Sequence, residues 1–270
     1  MQKMLSVSRK HFFSEKSMVI TSSSNEKVKL FRSLQDAKGR KQTGLYLAEG
    51  ANLVCDLPED AAVRYFFVKE SKEKEYADLF SRFSAERIVL SDELFDRASA
   101  TVTPAGIAAV LPIPASTDLS ELNGKKLIVL DHLSDAGNVG AVLRTAVAAG
   151  YREAVLLGCA DPYSPKAVRA SMSAIFKIRL CFSDNQAFLS SKNIQKYDIM
   201  VLDMMGENIF THVPRAEFAL VVGNEAHGVS EEIKAAGKIL SIPMVSMESL
   251  NAAVSAGVAM YLLERNRIDK

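Results

Sequence analysis

Short apolar runs alternate with segments of helical periodicity along most of the chain. In the first part, the runs typical of strands lie at 45–48, 63–68, 88–90 and 106–111. Helices are expected between them, beginning with one at 26–34, where Val28 and Phe31 recur at helical spacing. Ser91 can start a further helix, because its side-chain oxygen can accept from free backbone N–H groups. The pattern predicts a small α/β domain.

The alternation restarts after residue 125. Apolar runs at 126–130, 154–157, 199–203 and 218–223 are separated by helical stretches at 140–149 and 166–173, and two more helices are expected from Ser230 and over 249–265. Continuous apolar strands separated by helices predict a parallel sheet that is covered on both faces. The fold class is therefore α/β throughout.

A stretch with two prolines divides the two patterns. Proline blocks helix interiors and interior sheet positions, so Pro112–Thr117 is the best linker candidate. We expect an N-terminal extension at 1–18, a first domain at 19–114, a linker at 115–124 and a second domain at 125–270. A chain of 270 residues can supply each domain with its own core.

Composition excludes several classes of protein. Hydrophobic residues make up 48% and charged residues 24%, which is typical of a globular protein. The three cysteines are far apart and the four histidines are scattered, so we expect reduced thiols in a cytoplasmic protein and no metal site. No apolar run approaches the ~18 residues that span a membrane, and no signal peptide is evident.

The net charge of +1 leaves any nucleic-acid contact to a local patch. Basic residues cluster in one early segment; they are Lys27, Lys29, Arg32, Lys38, Arg40 and Lys41. Such a cluster is either a solvated helix face or a surface that attracts RNA phosphates, and the sequence leaves both interpretations open.

Polar residues follow strands of the second domain at the edge where open α/β sheets bind ligands. Asn138 and Arg144 flank the start of the helix expected from residue 140, and Gly223 and Glu225 follow the strand at 218–223. Gly223 would let backbone approach a ligand closely. Neither loop is a glycine-rich dinucleotide or phosphate motif, which disfavours those nucleotide enzymes.

Each of these positions also has a purely structural interpretation. Arg144 can be a surface arginine, Glu225 a solvated acid, and Ser230 the cap of the next helix. A third segment, from Ile242, leads through Ser249 and Asn251 into the terminal helix, where both can act as caps.

Taken together and in this order, the segments resemble the SpoU, or TrmH-like, family of RNA ribose methyltransferases within the knotted SPOUT class. The resemblance covers roughly Lys126 to Arg265 and is carried by Asn138-Val139-Gly140 with Arg144-Thr145, by Lys166 to Met172, by Gly223-Asn224-Glu225, and by Ile242-Pro243-Met244 with Glu248-Ser249-Leu250-Asn251. The first half resembles the L30e-like substrate-binding domain that often precedes this catalytic domain, through Ser22–Leu34, Gly44–Gly50 and Val102–Ile107.

The resemblance implies a deep trefoil knot, a homodimer and S-adenosylmethionine as methyl donor. The residues implied for the donor pocket are Gly223, Ile242, Met244 and Leu250, and those for the reacting groups are Arg144, Asn138, Glu225, Ser249 and Asn251. For RNA contact we expect Lys27, Lys38, Arg40, Lys41 and Arg144. Ribosomal RNA is the first candidate substrate because of the L30e-like half, and transfer RNA is the second.

The implied reaction is displacement at the sulfonium methyl by a ribose 2′-hydroxyl. A guanidinium with a pKa above ~12 is a poor base, so we assign Arg144 to ribose phosphate binding and to polarising the hydroxyl. Asn138 and Asn251 would hold loops or ribose oxygens, and Glu225 would orient Arg144 or its neighbours. The apolar stripe of the terminal helix (Val254, Val258, Tyr261, Leu262) fits a dimer, but such a stripe is more often core.

The sequence departs from the family pattern in the donor loop. One residue and a usual glycine are missing between Met244 and Glu248, and Ala136, Ser173 and Ala226 replace a proline and two glycines. The shortened loop could reshape the pocket or lower donor affinity. Three alternatives remain: a non-catalytic RNA-binding member of the fold, a different α/β nucleotide enzyme, and a SPOUT enzyme that methylates a base.

Overall fold

The computed structural model describes residues 18–247 and 249–265. The extension expected at 1–18 therefore lies, apart from Met18, outside the described residues, as does Glu248. Within the described ranges, no helix is both long and apolar enough to cross a membrane.

The first half of the chain forms a mixed five-stranded sheet with helices around it. In chain order its elements are β1 (Val19–Ile20), α1 (Glu26–Ser33), α2 (Ala37–Thr43), β2 (Leu45–Glu49), α3 (Ala51–Cys55), β3 (Tyr65–Lys69), α4 (Ala77–Phe80), β4 (Glu86–Leu90), α5 (Asp92–Ala98) and β5 (Ile107–Pro112). The strand order is β1-β4-β3-β5-β2, with β5 antiparallel to both of its neighbours. The expected cap is confirmed, because the Ser91 side chain accepts from the Leu94 N–H at the start of α5.

The second half forms the parallel sheet that the continuous apolar runs predict. Its elements are β6 (Lys126–Asp131), α6 (Ala136–Ala148), β7 (Glu153–Leu157), α7 (Pro165–Ser171), β8 (Arg179–Ser183), α8 (Asn185–Ser190), β9 (Asp198–Asn208), β10 (Phe218–Val222), α9 (Glu231–Ala236), β11 (Lys238–Ser241) and α10 (Ala252–Glu264). The strand order is β11-β9-β10-β6-β7-β8, and every neighbouring pair is parallel. Short strands β8 and β11 at the two edges were not predicted from the sequence.

Two helix starts differ from the expectation. Helix α6 begins at Ala136, not at residue 140, because the Asp135 carboxylate accepts from the Asn138 N–H and caps it. Asn138 and Arg144 therefore lie inside this helix and do not flank its start. Helix α10 begins at Ala252, because Asn251 accepts from the N–H groups of the second and third helical residues.

One hydrophobic core extends across both halves, and each half also has a core of its own. Tyr46 of β2 lies against Tyr163, with the ring centroids 5.0 Å apart, and burial raises the pKa of both phenols. The guanidinium of Arg40, which is only 4% exposed, donates to the Asp161 carboxylate at 2.6 and 2.8 Å and to backbone carbonyls of its own half. A buried, fully hydrogen-bonded arginine thus joins the first half to the second.

This use of Arg40 predicts an effect on stability. Arg40→Ala removes the donors to one oxygen of the Asp161 carboxylate and to two carbonyls, so we expect the free energy of unfolding to fall by about 2–4 kcal/mol. Lys41→Ala, one residue away and exposed, should change it by less than about 0.5 kcal/mol. Urea unfolding followed by circular dichroism measures both, and equal losses would contradict a role for Arg40 in joining the halves.

Candidate active site at the carboxyl edge of the parallel sheet

A cavity of about 690 Å³ lies at the carboxyl end of β10 and beside the middle of β9. Its wall is formed by these parts of the two strands, by the turn 223–228 and by the segment that leads into α10. All four residues expected to hold the donor line it: Gly223, Ile242, Met244 and Leu250. Glu225, Ser249 and Asn251 line it as well. The shortened loop after Met244 therefore still leaves a cavity of ligand size.

Gly223 is also required by the packing of the chain itself. A Cβ at this position would lie 2.3 Å from the carbonyl carbon of Gly228 and 2.3 Å from the nitrogen of Val229. The glycine is required because the turn 223–228 folds back on itself, as the pairing of Asn224 with Gly228 also shows. The close approach to Gly228 and Val229 is therefore one reason for the glycine, and the approach of a ligand to Gly223, which lines the cavity, stays a prediction.

A chain of hydrogen bonds joins three predicted site residues. The amide of Asn251 donates to the Asn138 oxygen at 3.0 Å, and the amide of Asn138 donates to Glu225 at 2.8 Å. Ser134 also donates to Glu225, from its hydroxyl at 3.1 Å and from its backbone at 3.4 Å. The network fixes the start of α6, the turn after β10 and the start of α10 relative to one another.

The charge state of Glu225 follows from this network. Burial alone would raise the pKa of its carboxyl, but hydrogen bonds from Asn138 and Ser134 outweigh it and hold the pKa below its usual range. Glu225 is therefore ionised at neutral pH and acts as an acceptor. The Glu225 carboxylate accepts from the Asn138 amide, and among the described residues no hydrogen bond or ion pair joins it to Arg144.

Arg144 stands apart from the other predicted site residues. It is exposed on α6 and does not line the cavity. Among the residues that the structure describes, it has no hydrogen bond or ion pair, and Ser249 has no hydrogen bond either. Both side chains are thus available to a substrate. Arg144 is positioned by the packing of α6 against α10, where Gly257 faces Thr145.

An ion pair that the sequence analysis missed lies in the cavity wall. Lys234 of α9 is 3.0 Å from the Asp203 carboxylate, and both line the cavity. Burial would raise the pKa of Asp203, but the Lys234 ammonium and a backbone N–H hold it below the usual range. The rule that ligands bind at the carboxyl ends of strands could have identified Asp203, because the predicted strand ended there. No feature of the sequence marks Lys234 as a residue of the cavity.

Ser230 is not a side-chain cap. Helix α9 does begin after it, but its hydroxyl donates to the buried Asp131 carboxylate at 2.5 Å, and its backbone N–H donates to the same oxygen at 2.7 Å. Asp131 ends β6, so this contact holds the turn after β10 against the neighbouring strand.

The residues expected to contact RNA differ in their availability. Lys38 and Lys41 are exposed on α2. The Lys27 ammonium forms an ion pair with Glu86 at 2.7 Å and lies over the Tyr65 ring. Partial burial would lower the pKa of Lys27, but these two contacts outweigh it and raise the pKa. Arg40 is buried and its donors are used within the chain, so it is not part of an RNA-facing surface.

The apolar stripe of α10 is only partly core. In the stripe, Val258 and Leu262 are half-buried, whereas Val254 is 51% and Tyr261 45% exposed. The buried residues of α10 lie outside the stripe; they are Ala256, Ala259, Met260, Leu263 and Glu264. The core interpretation is therefore wrong for Val254 and Tyr261. These two side chains, with exposed Phe210 from the segment after β9, leave apolar surface uncovered in a single copy of the chain.

Comparisons with known proteins recognise the two halves separately. Residues 125–261 match the SpoU rRNA Methylase family, and residues 25–109 match the MRM3-like substrate binding domain. The 23S rRNA (guanosine(2553)-2′-O)-methyltransferase RlmP of Bacillus subtilis is 31% identical over 251 residues, which cover 90% of this chain and 98% of that protein.

Solved structures share the same α/β fold with its parallel sheet. The AdoMet-bound rRNA methyltransferase from Sinorhizobium meliloti superposes with a TM-score of 0.82 at 23% identity, covering 93% of this chain and 98% of that one. A crystal structure of an RNA 2′-O ribose methyltransferase gives a TM-score of 0.80 at 27% identity, covering 93% and 100%. Both likenesses span the two halves of the chain.

Proposed function

The chain belongs to the SpoU rRNA methylase family, and we infer from this membership that it methylates ribosomal RNA on a ribose 2′-hydroxyl with S-adenosylmethionine as donor. The observation that carries the inference is the cavity at the carboxyl edge of the sheet. Its wall includes the four residues that the family pattern assigns to donor binding, and it also includes Glu225 and Asn251, which are joined by hydrogen bonds through Asn138.

The residues present fit S-adenosylmethionine. A cavity of about 690 Å³ has room for a nucleoside with a short side chain. Ile242, Met244 and Leu250 offer apolar wall to an adenine ring, while Asp203 and Lys234 offer opposite charges to the ammonium and carboxylate of an amino acid. When bound, the donor supplies a methyl group on a sulfonium, which is an excellent leaving group.

The protein then has to align and polarise the ribose hydroxyl. Alignment of two reactants contributes on the order of 7–11 kcal/mol. We assign Arg144 to the phosphate and hydroxyl of the target nucleotide, because its guanidinium is exposed and has no partner among the described residues. Asn138, held between Glu225 and Asn251, and Ser249 are proposed to surround the same ribose.

The architecture of the whole enzyme is also part of the proposal. We divide the chain into the RNA-binding domain at 19–114, with an L30e-like fold, a linker at 115–124 and a knotted methyltransferase domain at 125–270. A homodimer is supported by exposed Val254 and Tyr261 on α10, which a second copy would cover. Lys38 and Lys41 are the exposed cations proposed for RNA. A cytoplasmic location is part of the same proposal, and it is supported by the bacterial relative RlmP, whose name gives 23S rRNA as its substrate.

Transfer of labelled methyl groups to protein-free ribosomal RNA tests this function. Methylation of a 2′-hydroxyl makes the adjoining phosphodiester resistant to alkali, so the label should be recovered in alkali-stable dinucleotides. Label recovered in a modified base would instead identify a base methyltransferase. Absence of both transfer and calorimetric binding of S-adenosylmethionine would favour the non-catalytic member of the fold. Transfer RNA is assayed in parallel as the second candidate substrate.

The lowered pKa of Glu225 makes a prediction about pH. Because the folded pKa of Glu225 lies below the ordinary 4.5, its carboxyl group is ionised above that pH and takes up a proton only in more acidic solution. Glu225→Gln should therefore reduce the rate by the same factor, about tenfold, from about pH 6 to about pH 9. Initial rates across this range measure the ratio. A ratio that changes with pH would show Glu225 exchanging a proton in the reaction.

A further inference from the structure

Two smaller cavities extend the donor cavity along the carboxyl edge of the parallel sheet. The nearer one, about 360 Å³, shares Asn224, His227 and Gly228 with the donor cavity. The farther one, about 430 Å³, shares His132 and Gly158 with the nearer one and reaches the end of β8. The three cavities therefore adjoin one another past the ends of β10, β6, β7 and β8, and the two smaller ones together are called the groove below.

His132 lies where the two smaller cavities meet. Its backbone has a φ of 56°, a left-handed conformation that glycine adopts most readily. Its Nδ1 is 2.7 Å from the carboxylate of Asp131, which is buried and is also bound by Ser230. At the other end of the ring, a Cβ on Gly158 would lie 2.9 Å from Nε2, so only glycine leaves room for the imidazole there.

These contacts hold an aromatic ring in place without covering it. The side chain of His132 remains 57% exposed. A ring that is fixed by the protein and open to a groove is a platform for stacking, and proteins bind unpaired nucleotides by stacking their bases on such rings.

The other residues of the groove suit a base better than a phosphate. Ser183 and Gln186 offer hydrogen-bond donors and acceptors, which the edge of a nucleobase can match. The Asn185 amide lines the same cavity but donates to Ser230 and Glu232. Asp184 and Glu232 also line the farther cavity, and their charges would repel a phosphate. The groove therefore favours the base of a nucleotide over its backbone.

The groove is connected to the proposed reaction centre. Ser134 lines the nearer cavity, and its hydroxyl donates to Glu225, which binds Asn138. A nucleotide in the groove would thus lie one side chain away from the network that surrounds the target ribose. This position, close to the target ribose, suits the adjacent nucleotide of the same RNA strand.

We propose that this groove is a subsite for the base of an RNA nucleotide next to the methylated one, with His132 as its stacking platform. The proposal rests on the proposed function, because it takes RNA as the substrate. His132 is a positioning residue for the RNA, and no proton transfer is assigned to it.

The substitution His132→Gly removes the ring at a position whose backbone suits glycine, so the fold should be kept. Stacking on an aromatic ring contributes enough that we expect affinity for RNA to fall about tenfold, with donor affinity unchanged. His132→Asn, which also tolerates a left-handed backbone, should behave like His132→Gly. His132→Phe keeps a ring and should restore most of the affinity.

The closing experiment uses a ribosomal RNA fragment selected by its binding to the wild-type protein. Variants of this fragment carry one abasic nucleotide at a time, and fluorescence anisotropy gives their affinities. For the wild type, one abasic position should cost about tenfold in affinity, and His132→Gly should show no further loss at that position. Equal affinities of wild type and His132→Gly for the intact fragment, or the same abasic penalties in both, would overturn the subsite.

Binding is measured independently of methyl transfer. A wild-type protein that shows the His132-dependent penalty but transfers no methyl group would contradict the proposed function and still support the subsite. A wild-type protein that transfers methyl groups without any such penalty would contradict the subsite and still support the proposed function.

Discussion

Replacing Arg144 by alanine lowers the rate of methyl transfer by about 10²–10³-fold, since one preorganised hydrogen-bond donor at a reacting centre contributes that much. Its guanidinium is exposed on α6, has no partner within the described ranges and lies outside the donor cavity. The affinity for S-adenosylmethionine should therefore stay unchanged. Single-turnover transfer of labelled methyl groups gives the rate, and calorimetry gives the affinity.

Two further variants separate the chemistry of Arg144 from its charge. Arg144→Lys keeps the positive charge but loses the planar fork that binds a phosphate with two hydrogen bonds, so it should recover only part of the rate. Arg97→Ala removes an exposed arginine from α5 in the other half of the chain and should leave the rate unchanged. A rate for Arg144→Ala close to that of Arg97→Ala would refute the assigned role.

Gly223→Ala should abolish most of the donor binding. The new methyl group would lie 2.3 Å from backbone atoms of Gly228 and Val229, and backbone cannot move aside as a flexible side chain can. The turn 223–228, which lines the donor cavity, must then shift. We expect the dissociation constant for S-adenosylmethionine to rise by about 100-fold and the free energy of unfolding to fall by about 1–3 kcal/mol.

Gly257→Ala is the matched control for this change. In the interior of α10 its Cβ would meet only the Thr145 methyl group, at an ordinary 3.4 Å. Alanine favours a helix over glycine, so this variant should gain about 0.5–1 kcal/mol of stability and bind the donor normally. Calorimetry and urea unfolding on both proteins make the comparison. Normal donor binding by Gly223→Ala would show that the cavity does not depend on the tight turn.

The elements predicted best are those whose own residues determine them. Strands β6, β7 and β10 are continuous apolar runs because the sheet buries them on both faces. Such a run is recognisable from the sequence alone. Strands β8 and β11 escaped notice. Arg179–Ser183 mixes polar and apolar residues at one edge of the sheet, and Lys238–Ser241 has only four residues at the other.

The start of α6 was missed for a related reason. Gly137 and Gly140 lie in its first two turns, and glycine lowers the helical signal of a sequence. Gly140 is there because the helix packs closely against α7, where a Cβ would lie 2.3 Å from the Ala167 carbonyl oxygen. This requirement comes from the tertiary structure and leaves no local trace.

The positions of the candidate site come from the family resemblance, but the contacts between them come only from the structure. The family resemblance named Asn138, Glu225 and Asn251, and the structure joins them by hydrogen bonds between residues 87 and 113 positions apart. The pairing of Arg40 with Asp161 spans 121 positions. Such partners depend on how the strands are ordered in the sheet, so a single sequence could show a basic residue but not whether it faces RNA or the protein's own core.

The most direct test of ribose methylation is a map of 2′-O-methyl groups over total RNA from cells with and without this gene. The account predicts that methylation disappears at a ribose of ribosomal RNA, returns with the wild-type gene and does not return with Arg144→Ala. An unchanged map, or restoration by Arg144→Ala to the wild-type level, would contradict it.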